Sequence, residues 1–320
     1  MTVPHTLLAL AEDYLTERRE LGFDMGISGS QVTAFARFID ATGHVGPLTT
    51  RITLDWVQGQ AKYAKPLSWA RRLEVIRPFA KYLTRLDPAT EFPQTAIFGR
   101  GHRRLAPHIY SEQEIFDLLM AARLLSPHGG LRPATYEAIF GLIAATGLRL
   151  SEALQLRCGD ADLDQSVITI RNTKYRKSRH VPIHPTVAAA LSRYMLVRAQ
   201  HFAAHPDMPL FLSSSGGVLP TRTIHQVFQG LRSKLGWIAR GAHAQPRIHD
   251  LRHTFICRRV QLWHEHGIDI GNAMAALSTY VGHAKVSDTY WYLTGIPDLM
   301  AVACKSFEQF VGAEEGHYHG

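Results

Sequence analysis

Along this chain apolar side chains recur every three or four positions, and the interval drops clearly to two at SVITI and HVPI, on either side of the basic stretch RNTKYRKSR. A period of two sends alternate residues to opposite faces of a strand, so these runs are expected to form a β-hairpin. A period near 3.6 lines one face of a helix, and the remaining patterned segments carry that spacing. The expected fold class is mainly α with a small β-hairpin or sheet, α+β.

The first hundred residues are helical in pattern only. TLLALAEDYLTERRELGF spaces Leu7, Leu8, Ala11, Tyr14, Leu15 and Leu21 along one face, and SQVTAFARFIDATG repeats the pattern and stops at Gly43. TLDWVQGQAKYA and SWARRLEVIRPFAKYLTRL supply two more helices, enough for a small bundle over residues 1–88. DPATEFPQTAIFGRGHRRLAPHIY is rich in Pro and Gly, and residues 89–107 are expected to form a basic linker. A second domain over 108–320 opens on SEQE, where Ser111 and Glu114 form a capping box. Helices follow over about 112–124 and 132–145, with a short FLS strand near 211 and a helix from about Arg222 to Trp237. After Pro297, Leu299, Val302, Ala303, Phe307 and Phe310 share one side of a further amphipathic helix.

Lys and Arg number 35 against 27 acids, a net charge of +8. Between Arg51 and Arg104, 11 basic residues face 4 acids, so this part alone carries +7. Such a surplus suits a polyanionic partner, although a solvated basic surface would read the same way. Cys158, Cys257 and Cys304 are far apart and form no CxxC pair, so they are expected to be buried thiols in a reducing compartment. No segment approaches the roughly 20 apolar residues of a membrane span, and the N-terminus lacks a leader's basic flank and cleavage site. A cytoplasmic protein is expected, with no membrane partner.

Basic and hydroxyl groups concentrate at four places. In ATGLRLSEAL, Arg149 follows a helix-ending Gly147 and is flanked by Leu148 and Leu150, which draw it inward. An unpaired guanidinium there is costly, so it either pairs with an acid such as Glu152 or awaits an anion. The hairpin turn carries Lys174, Arg176, Lys177 and Arg179. In RIHDLRHTF, His249, Arg252 and His253 can share a helix face. That HxxxH spacing invites a metal, but Asp250 replaces the glutamate of HExxH and a third ligand is not evident. In VGHAKVSDTYWYL, His283 precedes Tyr290, Trp291 and Tyr292. Neither a carboxylate cluster for Mg²⁺ nor a Walker A loop is evident, so no cofactor or metal is expected. A cationic set of this kind can clamp a phosphodiester, while a phenol attacks phosphorus and a lysine or histidine protonates the leaving oxygen.

ATGLRLSEALQL, TKYRKSRHVPI, HDLRHTF and VGHAKVSDTYWYL stand in the order and spacing of one family. From about residue 107 to 310 the chain resembles the tyrosine recombinases, phage integrase and Xer-like. The resemblance implies a catalytic domain over 108–320, preceded by a helical, SAM-like core-binding domain over 1–88. It assigns Tyr292 as nucleophile, nine residues after the GH histidine, and Tyr290 as a supporting neighbour. Arg149 and Arg252 become the phosphate clamp, with Glu152 bracing Arg149, and Lys174 becomes the acid for the 5′-oxygen. His249 and His283 take the two histidine positions. Arg71, Arg72, Arg103, Arg104, Arg176 and Lys177 are then the expected contacts to double-stranded DNA.

The implied function is site-specific recombination through a 3′-phosphotyrosine, without ATP or metal. Four copies would act on two DNA sites, the free protein being a monomer, in nucleoid-associated cytoplasm. The final amphipathic helix would dock on a neighbouring protomer. The absence of an arm-binding segment before residue 1 implies a simple Xer-like or element-encoded enzyme. The alternatives are a type IB topoisomerase-like relaxation and a non-cleaving DNA-binding regulator on the same fold.

Overall fold

The computed structural model describes residues 6–59, 65–101, 104–171 and 178–295. Lys174, Arg176, Lys177, Arg103, Cys304 and the amphipathic segment after Pro297 lie outside the described residues. The chain divides into two compact units, Met1–Arg104 and Leu105–Gly320.

The first unit packs α1 (Leu7–Glu20), α2 (Gly26–Ala41), α3 (Thr50–Gly59) and α4 (Pro66–Leu86). Thr6 caps α1, its hydroxyl accepting the Ala9 N–H at 3.2 Å, and Pro66 starts α4 where no N–H is needed. The apolar faces close on Tyr14, Phe35, Trp56 and Phe79, whose rings meet at 5.1–6.5 Å. Arg72 lies 3.8 Å over the Trp56 ring and is half-buried, so its stem and charge serve the bundle's own packing. Arg71 is exposed, with Nε donating to the Gly101 carbonyl at 2.9 Å, and Arg104 is exposed.

The second unit begins with α5 (Glu112–Arg123), where both halves of the Ser111–Glu114 capping box form as the sequence indicates. α6 (Leu131–Thr146) and α7 (Leu150–Gln155) lead through a 3-10 turn to a three-stranded antiparallel sheet. Its strands are β1 (Ala161–Asp162), β2 (Val167–Ile170) and β3 (Arg179–Pro182). Ile168 pairs with Val181 and Ile170 with Arg179. α8 (Pro185–Ala199), α9 (Thr221–Leu235), α10 (Ile248–Glu265), α11 (Ile270–Val281) and α12 (Ser287–Gly295) complete the described order. Ile139, Phe140 and Ile143 of α6 sit at the centre of the main core. A second cluster joins α10, α11 and α12 through Ile256, Val260, Met274, Leu277, Val281 and Tyr292. Among the described residues, no helix is long and apolar enough to cross a membrane.

Two local expectations are corrected, and one strand is unexpected. The FLS run near 211 forms no strand, only isolated bridges from Arg157 to Pro209 and from Leu212 to Val218. Its backbone is satisfied instead by the Tyr194 hydroxyl, which donates to the Leu210 carbonyl at 3.0 Å and accepts from the Leu212 N–H at 3.3 Å. β1 gives no sequence signal because two residues show no alternation. α9 ends two residues before Trp237, since Gly236 turns left-handed at φ +64°.

Two other glycines shape the functional site. Gly147 ends α6 at φ +65°, its N–H donating to the Ile143 carbonyl at 2.9 Å in an αL cap. Gly282 ends α11 at φ +70° in a Schellman motif. There the Gly282 N–H reaches the Thr279 carbonyl at 3.1 Å, and the His283 N–H reaches that of Ser278 at 2.9 Å. A Cβ on Gly147 would lie 2.5 Å from Phe255 Cδ1, and one on Gly282 would lie 2.6 Å from an Arg179 nitrogen. Gly147→Ala is therefore expected to destabilise the protein by about 2–4 kcal/mol, combining left-handed strain with overpacking. Urea unfolding checks this, and a loss under about 0.5 kcal/mol would contradict it.

Candidate active site

The last carbonyls of a helix have no partner within it and carry the negative end of its dipole. At the end of α11 these acceptors meet guanidiniums from three other elements. Arg179, on β3, donates from Nε to the Tyr280 carbonyl at 2.8 Å. Arg252, on α10, donates to the Val281 carbonyl at 2.7 Å and to that of Gly147 at 2.6 Å. Arg149, at the start of α7, donates to the Gly282 carbonyl at 2.8 Å. The left-handed turns at Gly147 and Gly282 expose these carbonyls, which is why each motif carries a glycine there.

Glu152, buried on α7, ties two of these cations together. Its carboxylate accepts Arg149's backbone N–H at 2.9 Å and guanidinium at 2.8 Å, and a bidentate pair from Arg179 at 3.0 Å each. Burial alone would raise the carboxyl's pKa. The Arg179 hydrogen bonds, the Arg149 backbone N–H and both positive charges outweigh burial and hold it below its usual value. Arg252 is almost completely enclosed. Desolvation, then repulsion from Arg149, lowers its pKa to about 10, which leaves it charged at neutral pH. A guanidinium carries five N–H donors, and these contacts use two on Arg149 and two on Arg252.

The first turn of α10 supplies the histidines. Asp250 anchors it, accepting the Arg247 backbone N–H at 2.8 Å and its guanidinium at 2.6 Å. His249 presents an outer edge to solvent, while desolvation and then the charges of Arg252 and Arg247 push its pKa down to about 4. His283, just past the α11 cap, shares a 2.7 Å hydrogen bond between Nδ1 and the Thr289 hydroxyl. Its ring runs nearly parallel to that of Tyr292, at 13° and a centroid distance of 6.4 Å.

The two tyrosines of α12 differ sharply. Tyr292 is 3 % exposed and packs in the α10–α12 cluster. A negative charge on it would raise the Arg252 pKa, so phenol and guanidinium are within electrostatic reach. Tyr290 is 41 % exposed and donates its hydroxyl to the Gly271 carbonyl at 3.1 Å, bracing α12 on α11.

The structure thus brings Arg149, Arg252, His249, His283, Glu152 and Tyr292 to one place. It adds Arg179, which the sequence presents as one more charge of a solvated turn. Yet Arg179 and Val181 are two apart on a strand and therefore share the inward face, and that alternation is a usable signal. It also adds His253, which spacing alone offers only as a metal ligand beside His249. Its Nδ1 instead shares a 2.7 Å hydrogen bond with the Tyr292 hydroxyl. Among the described residues, no three His, Cys, Asp or Glu side chains gather as a metal site.

The phage integrase family pattern matches residues 111–295. A putative integrase/recombinase, y4rB, of Sinorhizobium fredii is 38% identical over 310 residues, covering 95% of this chain and 98% of that protein. Tyrosine recombinase XerC of Bacillus subtilis is 26% identical over 226 residues, 70% of this chain and 68% of its own. Among solved structures, the Tn1549 transposon integrase in complex with transposon right end DNA has the same fold. Its TM-score is 0.66 at 17% identity, over 95% of this chain and all of that one. The chain belongs to the phage integrase family, the tyrosine recombinases that cut and rejoin DNA at specific sites.

Proposed function

We propose that Tyr292 is the nucleophile and that Arg149 and Arg252 clamp the scissile phosphate of a DNA duplex. The observation that supports this most directly is the convergence of both guanidiniums on one turn, with the Tyr292 phenol in electrostatic reach of Arg252. The phenol gives up its proton to solvent water and its oxygen bonds to phosphorus as the bond to the 5′-oxygen breaks, leaving a 3′-phosphotyrosine and a 5′-hydroxyl. Negative charge grows on the non-bridging oxygens in that step, where two fixed guanidiniums stabilise it most. Their positive charge also favours loss of the phenol proton. His249 and His283 hydrogen-bond the phosphate oxygens, and Lys174 protonates the departing 5′-oxygen. A 5′-hydroxyl from a second duplex then reverses the chemistry, so the ester conserves the bond's energy and strands are exchanged.

The wider reading follows from this one. Residues 1–88 are the core-binding half and 89–107 the basic linker, with Arg71, Arg103 and Arg104 laid along phosphates and Arg176 and Lys177 of the catalytic half doing the same. Such contacts fix register on the duplex without reading sequence and make affinity steeply salt-dependent. Monomers assemble as four copies on two sites, in nucleoid-associated cytoplasm.

Two measurements on a nicked suicide duplex, drawn from DNA flanking the gene, test the assignment. Tyr292→Phe is expected to abolish covalent protein–DNA trapping while leaving duplex affinity within about twofold, whereas Tyr290→Phe still traps. An exchange of those outcomes would move the nucleophile to Tyr290. Arg149→Ala is expected to slow cleavage by about 10²–10³-fold, the usual cost of losing one preorganised donor to a developing oxyanion. Single-turnover rates decide this, and a loss below about threefold would remove Arg149 from the clamp.

A further inference from the structure

His253 has no part in the chemistry set out above, yet its ring lies within hydrogen-bond distance of the phenol oxygen. It sits one residue past Arg252 on α10, and its Nδ1 lies 2.7 Å from the Tyr292 hydroxyl. Ring contacts fix it from two directions. His249 meets it edge-on at 4.7 Å and 88°, while Tyr292 and Trp291 approach at 5.5 and 6.4 Å. An imidazole so wedged has little freedom to turn, and that is what an orienting group requires.

The charge around it decides which role it can play. The groups bearing on His253 are His249 on its own helix, Arg247 and Arg252 nearby in sequence, and His283 past the α11 cap. Desolvation, then these four neighbours, all disfavour a proton on the ring, and its pKa falls to about 2. His253 is therefore neutral, with one nitrogen donating and the other accepting. A ring so resistant to protonation is a poor sink for the phenol proton, but its lone pair still accepts a hydrogen bond.

We propose that His253 is the positioning residue for the nucleophile: its Nδ1 accepts the Tyr292 hydroxyl and aims the phenol oxygen at the place where the two guanidiniums hold the phosphate. This deepens the assignment of Tyr292 above and rests on it. His253 neither gains nor loses a proton in the reaction. It holds the phenol in place until phosphorus arrives; as the oxygen–phosphorus bond forms, the phenol proton passes to solvent water and the hydrogen bond to His253 is given up. The sequence pattern supplies the means. His249, Arg252 and His253 lie within one turn and a half of α10, so the helix that presents a clamp guanidinium also sets the nucleophile's aim.

The test uses the full chain and the same suicide duplex. A reactive oxygen misplaced by about an ångström typically loses about 10²-fold in rate, so His253→Ala is expected to slow covalent trapping by about 10–100-fold, with duplex affinity within about twofold. An asparagine amide oxygen stands close to where Nδ1 stands, so His253→Asn should recover most of that loss, to within about fivefold of the unaltered protein. Asn performing no better than Ala, or Ala trapping at the unaltered rate, would overturn the proposal.

A second arm separates aim from the state of the clamp. In a Tyr292→Phe background, hydrogen peroxide is supplied as the nucleophile, its oxygen bonding to phosphorus as the bond to the 5′-oxygen breaks. Adding His253→Ala there should cost at least tenfold less than it does in tyrosine-driven trapping; an equal loss in both would show that His253 merely supports the fold around the arginines. Should His253→Ala fail to fold, comparing His253→Asn with His253→Leu decides the same question. Trapping that survives Tyr292→Phe alone would instead sink the nucleophile assignment, a result distinct from every outcome above.

Discussion

The terminal turn of α11 is the constraint on which the site depends. Arg179, Arg252 and Arg149 arrive from a strand, the second turn of a helix and a helix start, and all donate to the carbonyls of residues 280–282. Each contact is a charge-assisted hydrogen bond, a class worth about 1.5–3 kcal/mol. Their common consequence matters more than their sum. Elements separated by over a hundred residues along the chain are referred to one short backbone segment, so their side chains keep fixed mutual positions. Gly282 makes this possible twice over: its left-handed turn presents the carbonyls, and its missing Cβ admits the Arg179 guanidinium.

Glu152 balances only part of that charge. It is buried, and removing one partner of a buried ion pair costs about 3–5 kcal/mol, so Arg179 is a structural requirement of the site. A carboxylate spanning Arg149 and Arg179 orients the first while the second offsets its desolvation. The local sum stays positive. A site charged in this way favours an anion, and the neutral His249 and His253 add hydrogen-bonding capacity without adding to the repulsion.

Much of this is legible in the chain because the determining signals are local. The SEQE cap, the change of hydrophobic period at SVITI and HVPI, and the four basic motifs each involve residues close in sequence, and the capping box and hairpin strands form where those signals lie. What escapes depends on contacts across the fold. The FLS run has strand-like residues, but its backbone partner is the Tyr194 hydroxyl on α8, which no local pattern announces. His253 looks like half of a metal pair because spacing on a helix shows which side chains are neighbours and not what faces them from α12. Arg179 is the exception, since its strand period is readable and the basic turn around it obscures the pattern.

That Arg252 is held by carbonyls, where a carboxylate would be the more stabilising partner, is itself informative. A carboxylate would cancel the guanidinium's charge; the carbonyls of Gly147 and Val281 orient it and leave the charge whole. Burial weakens its hydration and lowers its pKa to about 10, still far enough above neutrality that it stays protonated. The group is therefore both desolvated and charged, a state that costs stability in the free protein. In the proposed clamp, an arriving phosphodiester supplies the acceptors that water cannot, so part of that cost is recovered when the anion binds. Because charge on the phosphate oxygens increases during attack by a phenol, the recovery is larger in the transition state than on binding, which is the condition for such an arrangement to accelerate chemistry rather than merely hold DNA.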